Sequence, residues 1–330
     1  MPPVLLRADG LTKHYPGVTA LDGLTLEVPA GAVGLVGANG AGKTTLFRLM
    51  LGLARPTQGT LEVVGRAVAN DPVGVRARLG YMPEHDCLPV DQTAADVVST
   101  FGELSGLPPR AARQRASDVL DLVGLDEARF RPVGGFSTGM RQRAKLAQAL
   151  VADPELVLLD EPTAGLDPTG REDMLALVAR LAGFGISVLL ATHLLDDVQR
   201  VCDHVVMLDG GRLVVAGPTA GLLRRTGTLR VEVGDDVDAL VRTLAARSLQ
   251  AVAVGPGLVD VALAPGGDDE DGRGPADAAA DVVRDVLAEL HLPLYRLSSS
   301  HTSLDDVYLS NAASNAAASA AAAPAAEAAS

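Results

Sequence analysis

The chain has 330 residues, 48% of them hydrophobic, and a formal net charge of −13 at pH 7. This length exceeds one average domain and predicts a main domain with a smaller one, and the negative charge argues against a nucleic-acid partner because phosphates are repelled. The chain shows no apolar run of about 18 residues and no signal pattern, which predicts a cytoplasmic chain that does not span a membrane.

Alternating apolar and polar stretches predict strands that alternate with helices, the pattern of a mostly parallel sheet with helices on both faces. In chain order, strands are expected at residues 4–8, 24–28, 32–36, 156–159, 186–191 and 205–208. Helices are expected at residues 44–53, at 172–181 and from residue 194, with a helical insertion at about 91–135. Residues 1–217 are therefore predicted to form one α/β domain.

The last third of the chain predicts a smaller unit. Gly217 and Pro218 break the pattern, and residues 218–227 are expected to be a linker. The pattern of residues 228–310 predicts a small α+β accessory domain with elements in the order β-α-β-β-α-β. A Gly/Asp-rich stretch at 266–274 is expected to be a flexible connection within it. Residues 311–330 are almost entirely Ala and Ser, which predicts a disordered tail.

The strongest motif follows the third predicted strand, where GANGAGKTT fits the phosphate-loop pattern G-x-x-x-x-G-K-[ST]. Glycines let the backbone N–H groups surround phosphates, and the following helix adds its positive N-terminal end. Lys43 is expected to pair with the phosphates and Thr44 to bind Mg²⁺. An accidental glycine-rich loop is the alternative, and the position between a buried strand and a helix disfavours it. The predicted nucleotide-binding residues here are Gly37, Asn39, Gly40, Ala41, Gly42, Lys43, Thr44 and Thr45.

Two adjacent acids, Asp160 and Glu161, end a strongly apolar predicted strand. Ligands collect at the carboxyl ends of parallel strands, so these acids are expected to face the phosphate loop. Asp160 is expected to hold Mg²⁺, and Glu161 to orient and deprotonate an attacking water. A polar turn is the alternative for these two residues alone. Together with the phosphate loop they predict a P-loop NTPase that hydrolyses its nucleotide.

The segment between these motifs indicates which kind of NTPase this is. Residues 136–143 read FSTGMRQR, and Ser137 and Gly139 open a predicted helix about twenty residues before the acid pair. This segment resembles the LSGGQ signature of the ABC ATPase family. Residues 164–167 resemble the family's D-loop, and His193 resembles its switch histidine. Tyr15 looks like the aromatic residue that stacks on adenine, with a purely structural tyrosine as the alternative.

The resemblance, over about residues 4–217, implies an α/β P-loop NTPase of the ABC ATPase fold, with a RecA-like core, an antiparallel β subdomain and a helical subdomain. It implies ATP and Mg²⁺ as cofactors, with Lys43, Glu161 and His193 as catalytic residues. Ser137 and Gly139 would complete the ATP site of another subunit, so the chain is expected to form a homodimer or to pair with a sister ATPase. A separately encoded membrane permease is the other expected partner, which implies a location at the inner face of the membrane.

Two departures from the family pattern bear on these expectations. Glu84, in the sequence YMPE, stands where the family usually has Gln, and it is expected to be an oxygen ligand of Mg²⁺ that adds a negative charge. In the signature, Thr138 and Met140 replace Gly and Gln. Ser137 and the N–H of Gly139 are therefore the donors that carry over from the family.

Residues 303–309 read SLDDVYL and resemble the SLEDVFL ending of ATPases that serve ABC-2 type exporters. The resemblance therefore implies export, with an amphipathic helix that only packs on the domain as the alternative for this segment. A soluble ABC ATPase acting on ribosomes or DNA is disfavoured by the single cassette and the negative charge. A module that holds nucleotide without hydrolysing it is the third reading, motivated by Glu84.

Overall fold

The computed structural model describes residues 4–224, 228–234, 236–263 and 275–300, and the chain divides into the units Met1–Gly217 and Pro218–Ser330. In chain order the strands and helices of the first unit are β1 (Val4–Tyr15), β2 (Val18–Pro29), β3 (Ala32–Val36), α1 (Lys43–Met50), β4 (Gln58–Val63), β5 (Arg66–Ala67), α2 (Pro72–Arg76), β6 (Leu79–Met82), α3 (Ala94–Leu104), α4 (Pro109–Leu122), α5 (Thr138–Leu150), β7 (Leu156–Asp160), α6 (Pro168–Gly183), β8 (Ser187–Thr192), α7 (Leu195–Val201), β9 (His204–Asp209) and β10 (Arg212–Pro218).

The central sheet has the strand order β10-β9-β3-β8-β7-β6, and β9, β3, β8, β7 and β6 run parallel. Every residue of β3, β7 and β8 is buried, as expected for strands covered on both faces. The mostly parallel sheet predicted from the sequence is therefore confirmed. Its register pairs Val36 with Thr192 and Asp160 with Ala191, so the carboxyl ends of β3, β7 and β8 meet at one edge.

A second, antiparallel sheet has the order β2-β1-β4-β5. Strand β1 extends to Tyr15, well beyond the end predicted at residue 8. The prediction ended too early because a register irregularity near Gly10 interrupts the alternation of apolar and polar residues. Gly10 has φ 56°, and a Cβ on the neighbouring Gly59 would lie 2.3 Å from its carbonyl oxygen. The two glycines let strands β1 and β4 approach closely. Strand β1 ends at Tyr15, which lines a cleft next to the loop between β3 and α1.

Three helices, α3, α4 and α5, pack against one another beside the sheets. Helix α3 begins at Thr93, whose hydroxyl accepts a hydrogen bond from the Asp96 N–H at 3.1 Å. Short 3₁₀ turns at Asp126–Phe130 and Val133–Gly135 lead to α5. Helix α6 begins at Pro168, four residues before its predicted start, because Asp167 caps it and Pro occupies the first turn.

The second unit contains α8 (Thr219–Arg224), β11 (Thr228–Val233), α9 (Val237–Ala246), β12 (Ala251–Gly255), β13 (Leu258–Ala262), α10 (Pro275–Glu289) and β14 (Leu294–Ser300). Its sheet has the order β12-β13-β11-β14 with antiparallel neighbours, and the core joins Val231 and Val259 to Leu240 and Val283. Helix α8 lies within the predicted linker. The predictions for 266–274, 303–309 and 311–330 lie outside the described residues.

Candidate active site

The phosphate loop joins β3 to α1, and its backbone requires glycine at defined positions. Gly40 and Gly42 have φ 86° and 104°, in the left-handed region that favours glycine. A Cβ on Gly42 would lie 2.6 Å from the Ala20 carbonyl oxygen, and one on Gly37 would lie 2.4 Å from that of Leu208. The loop therefore packs closely against neighbouring backbone, and α1 presents its N-terminus at the end of the loop.

Lys43 is buried, and its ammonium curls back over the loop. Nζ donates to the carbonyl oxygens of Gly37 at 2.5 Å and Ala38 at 3.3 Å, and lies 4.0 Å from Oε1 of Glu161. Burial lowers the pKa of Lys43, and the negative charges of Glu161 and Asp160 oppose that shift. The loop and the acids at the end of β7 therefore share one cation.

Asp160 ends β7 with only 3% of its surface exposed. The Tyr81 hydroxyl lies 3.5 Å from its Oδ2. Burial raises the pKa of Asp160, and the charges of Glu84 and Glu161 add to that effect while Lys43 opposes it. A cation bound next to this carboxyl group would therefore stabilise its charged form.

Glu161 adopts a backbone conformation that is rare for a side chain of its kind. Its φ is 48°, and its N–H donates to the Ala191 carbonyl oxygen at 2.9 Å, which fixes the turn at the end of β7 to β8. The Thr192 hydroxyl donates to Oε2 at 3.2 Å, and Nδ1 of His193 lies 3.1 Å from both carboxylate oxygens. Two consecutive residues at the end of β8 therefore orient the Glu161 carboxylate.

These groups face one cleft of about 670 Å³. Of the residues predicted from the sequence, those that line it are Tyr15, Asn39, Gly40, Ala41, Gly42, Lys43, Thr44, Thr45, Glu84, Asp160, Glu161 and His193. Gly37 acts through its carbonyl group, which accepts from Lys43. The Lys13 ammonium lies 4.9 Å from the centroid of the Tyr15 ring.

Ser137 and Gly139 are not among the residues that line this cleft. Ser137 caps α5, and its hydroxyl accepts from the Met140 N–H at 3.2 Å. The signature segment lies against the turn at residues 164–167, since a Cβ on Gly165 would be 3.6 Å from the methyl group of Thr138. Ser137 is exposed to solvent at this position.

Three buried polar residues of the site were not found by sequence reasoning. Asp197 is buried on α7 and accepts from the Thr163 hydroxyl at 2.8 Å and from Nε of Arg171 at 2.6 Å. Thr192 orients Glu161, and the buried Lys145 on α5 donates to the Glu84 carbonyl oxygen at 2.8 Å. For Asp197 and Lys145 the only signal was a charged residue on the apolar face of a helix, and a single such residue has many explanations.

The oxygen donors in the cleft suit a hard cation. Thr44, Glu84 and Asp160 carry hydroxyl and carboxylate oxygens, the ligand type that Mg²⁺ prefers. Among the described residues, no three acids, histidines or cysteines converge closely enough to hold a metal ion by themselves. Such a cluster is not required for Mg²⁺, which is commonly held by one or two carboxylates together with substrate phosphates and water.

The comparisons with known proteins agree with one another. A family model described as "ABC transporter" matches residues 21–164. The Nod factor export ATP-binding protein I of Ralstonia nicotianae is 36% identical over 79% of this chain and 82% of its own length. The daunorubicin/doxorubicin resistance ATP-binding protein DrrA of Streptomyces peucetius is 36% identical over 92% of this chain and 91% of its own.

Solved structures resemble a large part of this chain in fold. CbiO1 of Clostridium perfringens, part of the ABC transporter complex cbiONQ, aligns with a TM-score of 0.62 and 25% identity over 74% of this chain and 96% of its own. A dimeric ATP-binding cassette bound to ADP and Pi aligns with a TM-score of 0.60 and 22% identity over 65% and 99%. Across the described part of this chain, every helix is too short or too polar to span a bilayer.

Proposed function

The chain belongs to the family of ABC transporter ATP-binding proteins, and from that premise we propose that it powers an ABC-2 type exporter by hydrolysing ATP in the cleft between the phosphate loop and the ends of β7 and β8. Membership confirms the predicted ABC ATPase fold and the ATPase activity. One observation carries the assignment of the site: Lys43, Asp160, Glu161 and His193 line the same cleft.

The phosphate loop binds the triphosphate. The N–H groups of residues 39–45 surround the β- and γ-phosphates, and Lys43 exchanges its carbonyl partners for phosphate oxygens. Tyr15 stacks on the adenine at the mouth of the cleft, where the residue is partly exposed. The Lys13 ammonium over that ring adds a positive charge near the nucleotide.

Thr44, Asp160 and Glu84 would hold Mg²⁺, because each lines the cleft and carries an oxygen donor. When bound, the ion neutralises negative charge on the phosphates during transfer. The raised pKa of Asp160 fits this role, since the carboxyl group sits among other acids and gains from a cation. Glu84 brings a carboxylate where the family usually has an amide, and that charge strengthens the attraction for the metal.

Glu161 is the general base. It accepts the proton of a water whose oxygen bonds to the γ-phosphorus, while the bond from that phosphorus to the β–γ bridging oxygen breaks and ADP departs. Thr192 and His193 hold the carboxylate in place from the end of β8. His193 lines the cleft with 54% of its side chain exposed, and it contacts the γ-phosphate.

A second copy of the chain, or a sister ATPase, supplies the remaining contacts. Ser137 and Gly139 lie at the N-terminus of α5, outside the cleft of their own chain. The hydroxyl of Ser137 and the N–H groups of this helix end suit phosphate oxygens. Two chains arranged head to tail place each signature segment over the partner's nucleotide. Hydrolysis then removes the γ-phosphate contacts, and the dimer opens.

The exporter assignment draws on the relatives. One carries Nod factor export in its name and another daunorubicin/doxorubicin resistance, and the second matches 92% of this chain, including the second unit. We infer that a separately encoded membrane permease uses the opening and closing of the dimer, and that the ATPase acts at the inner face of the membrane.

The test of the function is Mg²⁺-dependent ATP hydrolysis by the full chain together with its permease, comparing the wild type with Glu161→Gln. The substitution keeps the shape of the side chain and removes the base, so turnover should fall at least about 100-fold while ATP still binds. Asp173→Asn, an exposed acid on α6 paired with Arg143, is the matched control and should hydrolyse normally. Wild-type turnover by Glu161→Gln would exclude this site.

A further inference from the structure

The chain contains three lysines, and two of them are buried near the same acids. Lys43 belongs to the phosphate loop, whereas Lys145 lies on α5 with 1% of its surface exposed. Ser137 caps α5, and Lys145 lies about two helical turns after Ser137. Lysine is almost never fully buried without a charged partner. Lys145 therefore stands out as a buried cation that the hydrolytic chemistry does not use.

Within the described part of the chain, the ammonium group of Lys145 has one hydrogen-bond partner. Its ammonium carries three N–H donors and makes one hydrogen bond, to the backbone carbonyl oxygen of Glu84 at 2.8 Å. This close partner is a neutral backbone carbonyl group and not a carboxylate. Burial lowers the pKa of Lys145, and the nearby Cys87 and Asp86 oppose that shift, followed by Glu84 and Asp160. A buried cation with one partner reduces stability, so stability does not explain its presence.

The hydrogen bond from Lys145 to the Glu84 carbonyl oxygen joins two functional segments. Glu84 follows β6 and lines the ATP cleft, while Ser137, which the proposed function places against a second copy of the chain, caps α5. We propose that Lys145 is a positioning residue that fastens the Glu84 loop to the signature helix. The inference rests on the proposed roles of Glu84 and Ser137. A shift of α5 that accompanies nucleotide binding by Ser137 then moves Glu84 relative to Mg²⁺.

The experiment is the substitution Lys145→Met in the full chain, which keeps the length of the side chain and removes the donor. The expected result is a kcat about tenfold lower, a higher Mg²⁺ concentration for half-maximal hydrolysis and an unchanged KM for ATP. The Tm should stay equal or rise, since an apolar side chain replaces a poorly satisfied buried charge. Gln148→Met on the same helix is the control and should alter none of these values.

A double-mutant cycle with Glu84→Ala separates positioning from a general defect. Once the Glu84 side chain is absent, Lys145→Met should lower kcat by less than about twofold. An equal loss in both backgrounds, or a lower Tm with unchanged kcat, would overturn the inference. Glu161→Gln, measured alongside, separates a failure of this inference from a failure of the proposed function. If Glu161→Gln reduces hydrolysis and Lys145→Met does not, only the role of Lys145 is wrong. Wild-type turnover by Glu161→Gln would instead contradict the proposed function itself.

Discussion

The ATP cleft and the signature segment differ in how completely one chain furnishes them. In the cleft, Glu161 is held by Thr192 and His193, and Lys43 by loop carbonyl groups. In the signature segment, Ser137 is exposed, and its hydroxyl bonds only to the N–H of its own helix among the described residues. In the proposed function the chain itself supplies the hydrolytic half of the site, and a second subunit would supply the opposite half.

The largest effect that tests this comparison comes from Ser137→Ala. The substitution should lower ATP hydrolysis about tenfold, because a donor to the partner's phosphate is lost, while ATP binding to a single chain is unchanged. It should also reduce stability by about 1 kcal/mol through loss of the helix cap. Thr93→Ala removes the equivalent cap of α3 and is the control, with a similar loss of stability and normal hydrolysis.

Mixing two inactive variants shows in which chain the serine acts. A dimer of Ser137→Ala with Glu161→Gln contains one site that has both Glu161 from the first chain and Ser137 from the second. Hydrolysis by the mixture should therefore exceed that of either variant alone. Activity that stays at the average of the two separate variants would mean that Ser137 acts within its own chain, and the comparison between complete and incomplete halves would fail.

The sequence predicts the cleft better than the contacts that support it. The phosphate loop and the Asp160–Glu161 pair are continuous motifs, and the register of parallel strands follows from their apolar runs. Thr192, Asp197 and Lys145 act through partners that are 31, 34 and 61 residues away along the chain. Such pairs arise from packing, which no local pattern encodes, and the extension of β1 to Tyr15 was hidden by the bulge at Gly10 in the same way.

A smaller effect is expected at Tyr15, on the adenine side of the cleft. Tyr15→Ala should weaken ATP binding about fivefold, the equivalent of about 1 kcal/mol of stacking, and Tyr15→Phe should bind normally because the ring remains. Inorganic triphosphate, which has no base, should bind both variants as it binds the wild type. A loss of triphosphate affinity in Tyr15→Ala would show that the residue supports the phosphate loop and does not recognise adenine.

The smallest effect concerns stability, where the two regions should respond in opposite directions. Burial and neighbouring acids raise the pKa of Asp160 in the folded protein above its value in the unfolded chain. The folded state then binds more protons between those two values, so this contribution to stability is complete below the unfolded pKa and is lost as pH rises through the folded pKa. While it is charged, Asp160 therefore destabilises the protein, whereas the cap at Ser137 stabilises it.

Asp160→Asn should accordingly raise the Tm by a few degrees at the higher of two pH values, without Mg²⁺ or nucleotide, and the gain should shrink at the lower one, where protonation removes the buried charge from the wild type. Thermal unfolding at the two pH values measures both changes. Asp173→Asn is the control, because that acid is exposed and its replacement should change stability by less than about 0.5 kcal/mol. An equal gain in Tm at both pH values would mean that packing around residue 160, and not the charge of Asp160, determines its effect on stability.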